Sequence, residues 1–420
     1  MSTLKKVYDY LQKIKNGTTT FQLLLNKGLK GISEKEMFLI KDSLKSIINR
    51  YHFLSWEQSK IINIDNEDLK DYFICALGQY HYVKDVKDKD LLEAFKEDVP
   101  TFDTELTIAD LYNAILGLCG SIYKISDKEY SIIIKRLAIN YAYPEWAVKL
   151  MSKHFGIKHT YRAIASSRKN ININLNYNSF LTSKDKVINT DPESFKNGNL
   201  ALGSISYEGK KKIIDLELFK KNKIFPESEA MQMLVEKLSL EPGDESLLIA
   251  EDQNAAAIDM AMHMKDVGVV HACVKNVVDN ATIKNMIHRF KLNSINVFQS
   301  EINTLLTHVG KESCDKVLYV ADSTELGLVR RRPAVLLTLK RDDLDNIISS
   351  QKEGLEEVSS LVKKGGTLIY SVFTYNKKES NFIIEEFLSK HDDFELIEEK
   401  QIFAQEVPSD GLYYAILKKK

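Results

Sequence analysis

Apolar residues recur at helical spacing from Leu4 to about Gly156. Ser33-Glu34-Lys35-Glu36 reads as a capping box, with the Ser hydroxyl available to first-turn amides and Glu36 reaching back. Met37, Ile40, Leu44, Ile47 and Ile48 follow it, which predicts one strong amphipathic helix. Ser126-Asp127-Lys128-Glu129 repeats the device ahead of Ile132, Ile133 and Leu137. Tyr72 to Leu77 and Ile108 to Leu116 are apolar enough for burial on most sides. Pro144 suits a first helical position and Gly156 a helix stop, so a short helix is expected to close an all-α domain.

From about Ile157 to Ile224 the pattern switches to period two, in Ile171 to Tyr177 and again in Ile213 to Leu218, which predicts short half-exposed strands. From Pro226 onward strand-like and helix-like stretches alternate. Strands are expected at Ser246 to Ala250, Val269 to Cys273, Ile295 to Phe298, Lys316 to Val320 and Thr367 to Tyr370, with closing strands at Phe394 to Ile402 and Leu412 to Leu417. A long helix is expected from about Arg341 to Val362 and another from Lys378 to Ser389. Alternation of this kind implies right-handed crossovers and a doubly wound parallel sheet, with ligands at the carboxyl ends of its strands. Three regions result: all-α over 1–142, a connecting α+β region over 143–225, and an α/β domain over 226–420.

The chain has 420 residues, 44% apolar and 28% charged, which is the composition of a globular protein of two or three domains. With 58 Lys and Arg against 59 Asp and Glu, no global field draws it to nucleic acid or an anionic membrane, so any such affinity has to be local. No run of about 18 apolar residues and no secretory leader is visible, so neither membrane spanning nor secretion is expected. Cys75, Cys119, Cys273 and Cys314 are widely spaced with no nearby His at ligand spacing, which points to a reducing cytoplasm and to no structural metal. The nine histidines are scattered and suggest no constellation. No phosphate loop, zinc-protease motif or Ser-His-Asp arrangement is present.

Six anchors occur in order: Tyr143-Pro144-Glu145-Trp146; Glu229-Ala230 with Gln232; Glu241-Pro242-Gly243-Asp244; Arg330-Arg331-Arg332-Pro333; Lys364-Gly365-Gly366-Thr367-Leu368-Ile369-Tyr370-Ser371; and Asp410-Gly411-Leu412-Tyr413-Tyr414-Ala415. In these the chain resembles the RsmB/Sun family of small-subunit ribosomal RNA cytosine-5 methyltransferases, which join a NusB-like helical domain to a Rossmann-type methyltransferase domain. Ser33 to Trp56 resembles the long central helix of the NusB-like part. The resemblance implies a multidomain fold: an all-α NusB-like domain that meets RNA or protein, the small α+β connection, and an α/β Rossmann-type methyltransferase domain.

The departures from that pattern are chemical. A glycine-rich turn after the first strand lets backbone approach S-adenosylmethionine, and the family writes Ala-Ala-Pro-Gly-Gly-Lys-Thr there. This chain has Glu251-Asp252-Gln253-Asn254-Ala255-Ala256-Ala257. Where the family places an acid for the ribose hydroxyls stands Cys273, and Glu301 matches the acid near the adenine. The nucleophilic thiol belongs in a Tyr-Ser-Thr-Cys-Thr loop and its helper in Asp-Ala-Pro-Cys, but this chain has Phe373 and Ser323 at the two cysteine positions. Loss of both thiols and of the glycine loop predicts a fold kept for binding, with no cofactor, or with S-adenosylmethionine if activity persists.

Four of the nine arginines, Arg330, Arg331, Arg332 and Arg341, fall within twelve residues alongside Lys340. Guanidinium groups match phosphates, so this segment is the expected RNA contact, with Lys41, Lys45 and Arg50 as a second patch. The expected function is RNA binding in ribosomal RNA maturation or ribosome assembly. An active rRNA methyltransferase with an altered site, and a NusB-like antitermination factor working through ribosomal or transcription proteins, are the alternatives.

Overall fold

The computed structural model describes all residues except 1, 27–30, 118–131, 170–171, 252–253 and 408. The Ser126 to Glu129 capping box, Cys119, Asp252 and Gln253 therefore lie outside the described residues. The chain forms two compact units, one comprising Met1–Arg168 with Arg332–Arg341, the other Lys169–Arg331 with Asp342–Lys420.

The first unit is helical. The helix Glu67–Tyr82 is its axis, and Tyr72 to Leu77 have no measurable exposure. Gly78 lets the helix Glu34–Ile48 come close, since a Cβ there would stand 2.4 Å from Ile47 Cγ1. Ser33 caps that helix through the Glu36 amide at 3.3 Å. Glu36 itself turns to Lys6 Nζ, 2.6 Å away, and ties the helix to Thr3–Lys15. The one buried acid on the axis, Asp71, is met by Gln12 at 2.7 Å, Lys15 at 2.5 Å and the Tyr51 hydroxyl. Gly156 does interrupt a helix, with φ of 75°, but the chain re-enters helical geometry and continues to Ser166. The expectation of β-like structure from Ile157 is thus corrected. Thr160 bonds back to the Gly156 carbonyl at 2.9 Å, and Ala163 and Ile164 bury the new turn.

The second unit holds two sheets. The smaller is antiparallel, with β1 (Ile173–Tyr177), β2 (Phe195–Asn197), β3 (Ile205–Tyr207) and β4 (Ile224–Pro226) in the order β2-β3-β1-β4. The expected strand at Ile213 to Leu218 is instead a 3-10 turn, Ile213–Asp215, followed by the helix Glu217–Lys220. Only Ile213 of that stretch is buried, so its alternation reflects one anchor and not a sheet face.

The larger sheet has seven strands: β5 (Glu245–Ala250), β6 (Val269–Val274), β7 (Ile295–Gln299), β8 (Cys314–Val320), β9 (Val362–Val372), β10 (Phe394–Ile402) and β11 (Leu412–Lys419). Their order is β10-β11-β9-β8-β5-β6-β7. β5 to β9 are parallel, and β11 runs antiparallel to both β9 and β10. The sheet is therefore mixed rather than wholly parallel, because the β10–β11 connection is too short for a crossover helix. Val320 stands beside Ala250 on one side and Ser371 on the other, and Ile249 pairs with Cys273. Four carboxyl ends are thus aligned as one rim.

Two glycines close that rim. Gly327 donates to the Phe373 carbonyl at 3.0 Å, and Gly411 donates to the Gly327 carbonyl at 3.0 Å. A Cβ on Gly327 would lie 1.9 Å from the Gly411 oxygen, a backbone atom that cannot rotate away. Gly327→Ala is expected to cost about 3 kcal/mol, the upper end for overpacking, and chemical denaturation of the variant checks it.

Candidate functional site

The rim begins with the turn after β5. Glu251 follows the strand, and Asn254 leads into the helix Ala255–His263. The Asn254 side-chain amide donates to Asp279 Oδ1 at 2.9 Å, and Asn276 donates to Asp279 Oδ2 at 2.8 Å. The turn is thereby tied to the start of the helix Val277–Phe290. Ala255 opens a helix whose next seven residues are buried, so it serves packing.

Cys273 is buried at the end of β6, its thiol directed at the Ser300 carbonyl 3.6 Å away. Burial pushes this thiol up to about 11, and Cys314 up to about 12, while Cys75 is also raised by complete burial. None of the three described thiols is suited to act as a thiolate. Two residues beyond Cys273, the Lys275 ammonium forms a close ion pair with Asp322, on the loop after β8, and lies 4.0 Å from Glu251 Oε2. Burial pulls the Lys275 ammonium down, but the Asp322 hydrogen bond and charge, with Glu251 and Glu301, outweigh it and keep it charged. The space these groups share with Glu301, Tyr319 and Gln351 is about 90 Å³. Sites for cofactor-sized ligands usually offer roughly 300–1,000 Å³.

The two loops that would carry thiols are also accounted for. Ser323 Oγ accepts from the Glu325 amide at 3.2 Å, closing a turn in which Glu325 has φ of 50°. Phe373 is buried in the core that also contains Leu328, Ile402 and Leu412. Between these loops sits Glu379, with no exposure at all. Its carboxylate accepts from the Thr324 amide and hydroxyl at 2.7 Å each, the Thr374 hydroxyl at 2.8 Å, the Asn376 amide at 2.9 Å and Gln351 at 3.3 Å. Gln351 also donates to the Asp322 carbonyl at 2.6 Å, so the helix Leu344–Ser359 joins the same network.

Residues 252–417 match the 16S rRNA methyltransferase RsmB/F family. A probable ribosomal RNA small subunit methyltransferase B of Bacillus subtilis is 24% identical over 76% of this chain and 72% of its own length. The enzyme of that name from Erwinia tasmaniensis is 30% identical over 30% of each chain, so this second match spans under a third of the relative. Among solved structures, the one named PH0851 covers 93% of this chain and 92% of its own, at a TM-score of 0.76 and 18% identity. The domain over residues 252–417 belongs to the RsmB/F methyltransferase family. The rim of β5, β6, β8 and β9 carries Glu251, Cys273, Ser323 and Phe373, the positions at which the sequence resemblance expects the family's cofactor and thiol motifs.

The basic residues separate. Arg331 Nε stands 3.1 and 3.2 Å from the two oxygens of Asp410, which is buried and also accepts from Ser228 at 2.9 Å. Arg330 is half-buried and donates to the Lys169 carbonyl at 3.2 Å. Arg332, Lys340 and Arg341 belong to the segment grouped with the helical unit, where Lys340 and Arg341 are exposed and Arg332 half-buried. Lys41 and Lys45 lie one turn apart on the helix Glu34–Ile48, and Arg50 packs over the Tyr82 ring at 4.2 Å. Among the described residues no three His, Cys, Asp or Glu side chains cluster as a metal site, and no helix is long and apolar enough to cross a membrane.

Sequence reasoning missed Lys275 and Glu379. Each has a key partner far along the chain, Asp322 for Lys275 and Thr324 for Glu379, and no local pattern announces such pairs. Glu379→Ala would strand several buried donors and is expected to lower stability by more than about 3 kcal/mol, measurable as a lower denaturation midpoint.

Proposed function

We propose that this protein is a non-catalytic, cytoplasmic, RNA-binding member of the RsmB/Sun family that works on ribosomal RNA during small-subunit maturation. The observation that carries the reading is Lys275. Its ammonium, paired with Asp322, occupies the cleft where a methyltransferase of this family would hold S-adenosylmethionine. The Lys275 side chain and its acid partners fill that cleft, and a volume of about 90 Å³ is too small for the cofactor. Phe373 has no nucleophilic atom, and Ser323 has no general base among its hydrogen-bond partners. The residues present do not fit the cofactor, and no methyl-transfer step is derived.

The RNA side of the proposal rests on the curated relatives, named as ribosomal RNA methyltransferases, and on the basic segment. Arg331 pairs with Asp410, and the proposed phosphate contacts are Arg330, Arg332, Lys340 and Arg341, with Lys41, Lys45 and Arg50 as a second patch. Protein partners of the NusB-like unit are compatible with this role.

Calorimetric titration with S-adenosylmethionine to about 1 mM is expected to give no binding heat, and Phe373→Cys is expected to restore no methylation of 16S rRNA. Micromolar cofactor binding would overturn the non-catalytic reading. Reversing Arg330, Arg332, Lys340 and Arg341 to Glu should weaken rRNA binding by about 100-fold or more and flatten the salt dependence by a slope of about 3. Binding that instead responds to Lys41→Glu and Lys45→Glu alone would move the interface to the helical unit.

A further inference from the structure

The second unit contains another cavity, of about 790 Å³, which shares no lining residue with the cleft at the rim. The helix Ala255–His263 starts at the carboxyl end of β5 and carries the chain back along the sheet. The cavity lies by its last turn, at Asp259, Met262 and His263, and is therefore toward the opposite end of the sheet. Its other walls come from β1, through Asn176 and Tyr177, and from the helix Glu229–Leu238, through Gln232 and Glu236.

Two acids, Glu236 and Asp259, line the cavity, Glu227 and Glu229 lie behind its walls, and the protein treats the four unequally. Glu229 accepts from the backbone amides of Asn199, Leu200 and Ala201. Glu236 accepts from the amides of Leu202 and Gly203 at 3.0 and 2.7 Å. Both are satisfied from within. Glu227 receives one bond, from the Asn176 side chain at 2.8 Å, and its second oxygen is buried without a partner. Asp259 is 4% exposed, and its Oδ2 likewise has no hydrogen-bond partner. His263 Nε2 stands 3.6 Å from Asp259 Oδ1, and Lys265 is also on the cavity wall. Gln232, 1% exposed, spends its amide nitrogen on the carbonyls of Leu175 and Glu227 and leaves its oxygen unmet. The cavity thus presents two orphaned buried acceptors, Asp259 Oδ2 and Gln232 Oε1, while His263 and Lys265 stand on its wall.

Orphaned buried acceptors are rare, because each forfeits the hydration it had in the unfolded chain. Burial pushes the Asp259 carboxyl up to about 6, against the opposing pull of His263 and Asn176, and Glu236 adds to the rise. Glu227 is raised by burial and by Asp259, and Tyr177 by burial and by the charges of Asp259, Glu236 and Asp185. A bound cation with N–H donors would meet the two orphaned acceptors that line the cavity, Asp259 Oδ2 and Gln232 Oε1. The remaining wall is apolar: Tyr177, Met262, Phe180 at 49% exposure and Leu202 at 88%. Exposed apolar side chains at the mouth of an acidic cavity suit an aliphatic stem.

We propose that this cavity binds a small organic cation, an ammonium or guanidinium group on a short apolar stem, with Asp259 and Gln232 accepting its hydrogen bonds. Tyr177, Phe180 and Met262 flank the stem. The proposal is independent of whether the rim binds a cofactor.

Agmatine is the probe, titrated calorimetrically to about 10 mM at constant ionic strength and about pH 7.5. Wild-type protein is expected to bind it, and Asp259→Asn to weaken binding by at least about ten-fold. The same variant should melt higher than wild type without ligand. A carboxyl raised in the folded state favours stability below about pH 4 and loses that contribution as pH climbs through about 6, so an ionised Asp259 is a burden that Asn removes. Met262→Trp, which fills the cavity and leaves the carboxylates in place, should abolish binding. N-acetyl-arginine amide distinguishes the source: binding as tight as agmatine's assigns the site to an arginine side chain of another protein, and weaker binding assigns it to a free amine. No heat from either probe, or agmatine binding unchanged in both variants, overturns the proposal.

Discussion

A carboxylate sealed from water has to be met by donors, and the loops after β8 and β9 are arranged around that demand. Glu379 draws Thr324 from one loop, Thr374 and Asn376 from the other, and Gln351 from the helix behind them. Tyr370 adds a bond to the Glu379 carbonyl at 2.8 Å. Removing a donor here exposes a buried charge, so every member holds the others in place. The consequence is a rigid floor where a cytosine-5 methyltransferase needs a reachable thiol. With the loop pinned at Thr374 and its backbone bonded to Gly327, the side chain of residue 373 is delivered to the core, and Phe373 suits that location as a cysteine nucleophile would not.

The same logic governs charge at the rim. Once an ammonium enters a narrow cleft it needs a counter-charge, and Asp322 and Glu251 supply it from the ends of β8 and β5. Three strand ends are then cross-linked by electrostatics where glycines would have left an open cradle. The substitutions therefore act together. In this half-buried cleft the attraction between Lys275 and its acids is stronger than it would be in open water.

Much of this architecture was legible in the sequence, for a physical reason that also explains the failures. Strands that are buried on both faces read as apolar runs, so β5, β8 and β11 were visible from local pattern. The missing thiols at Ser323 and Phe373 and the missing glycines after Ala250 were visible because a motif is local too. Ile213 to Leu218 misled because alternation in a short exposed stretch needs only one buried anchor. The helical turn after Gly156 was missed because a glycine with positive φ can redirect a helix as well as end it. Lys275, Glu379 and the Arg331–Asp410 pair were invisible because each is defined by a partner distant in sequence.

The acids of the second unit sort themselves by who answers them. Glu379, Glu229 and Glu236 are answered by the chain's own amides and hydroxyls, Asp410 by Arg331, and Asp315 by Lys363 at 2.9 Å and the Glu245 amide at 2.9 Å. Each of these contributes to holding the fold, and a neutral replacement would weaken it. Asp259 belongs to another class, because its environment favours the uncharged form and nothing within the chain completes its shell. A group that lowers stability in the free protein persists only where something outside the chain repays the burial. In a second unit where those other acids are answered from within, the unanswered carboxylate marks the place where the fold remains open to a ligand.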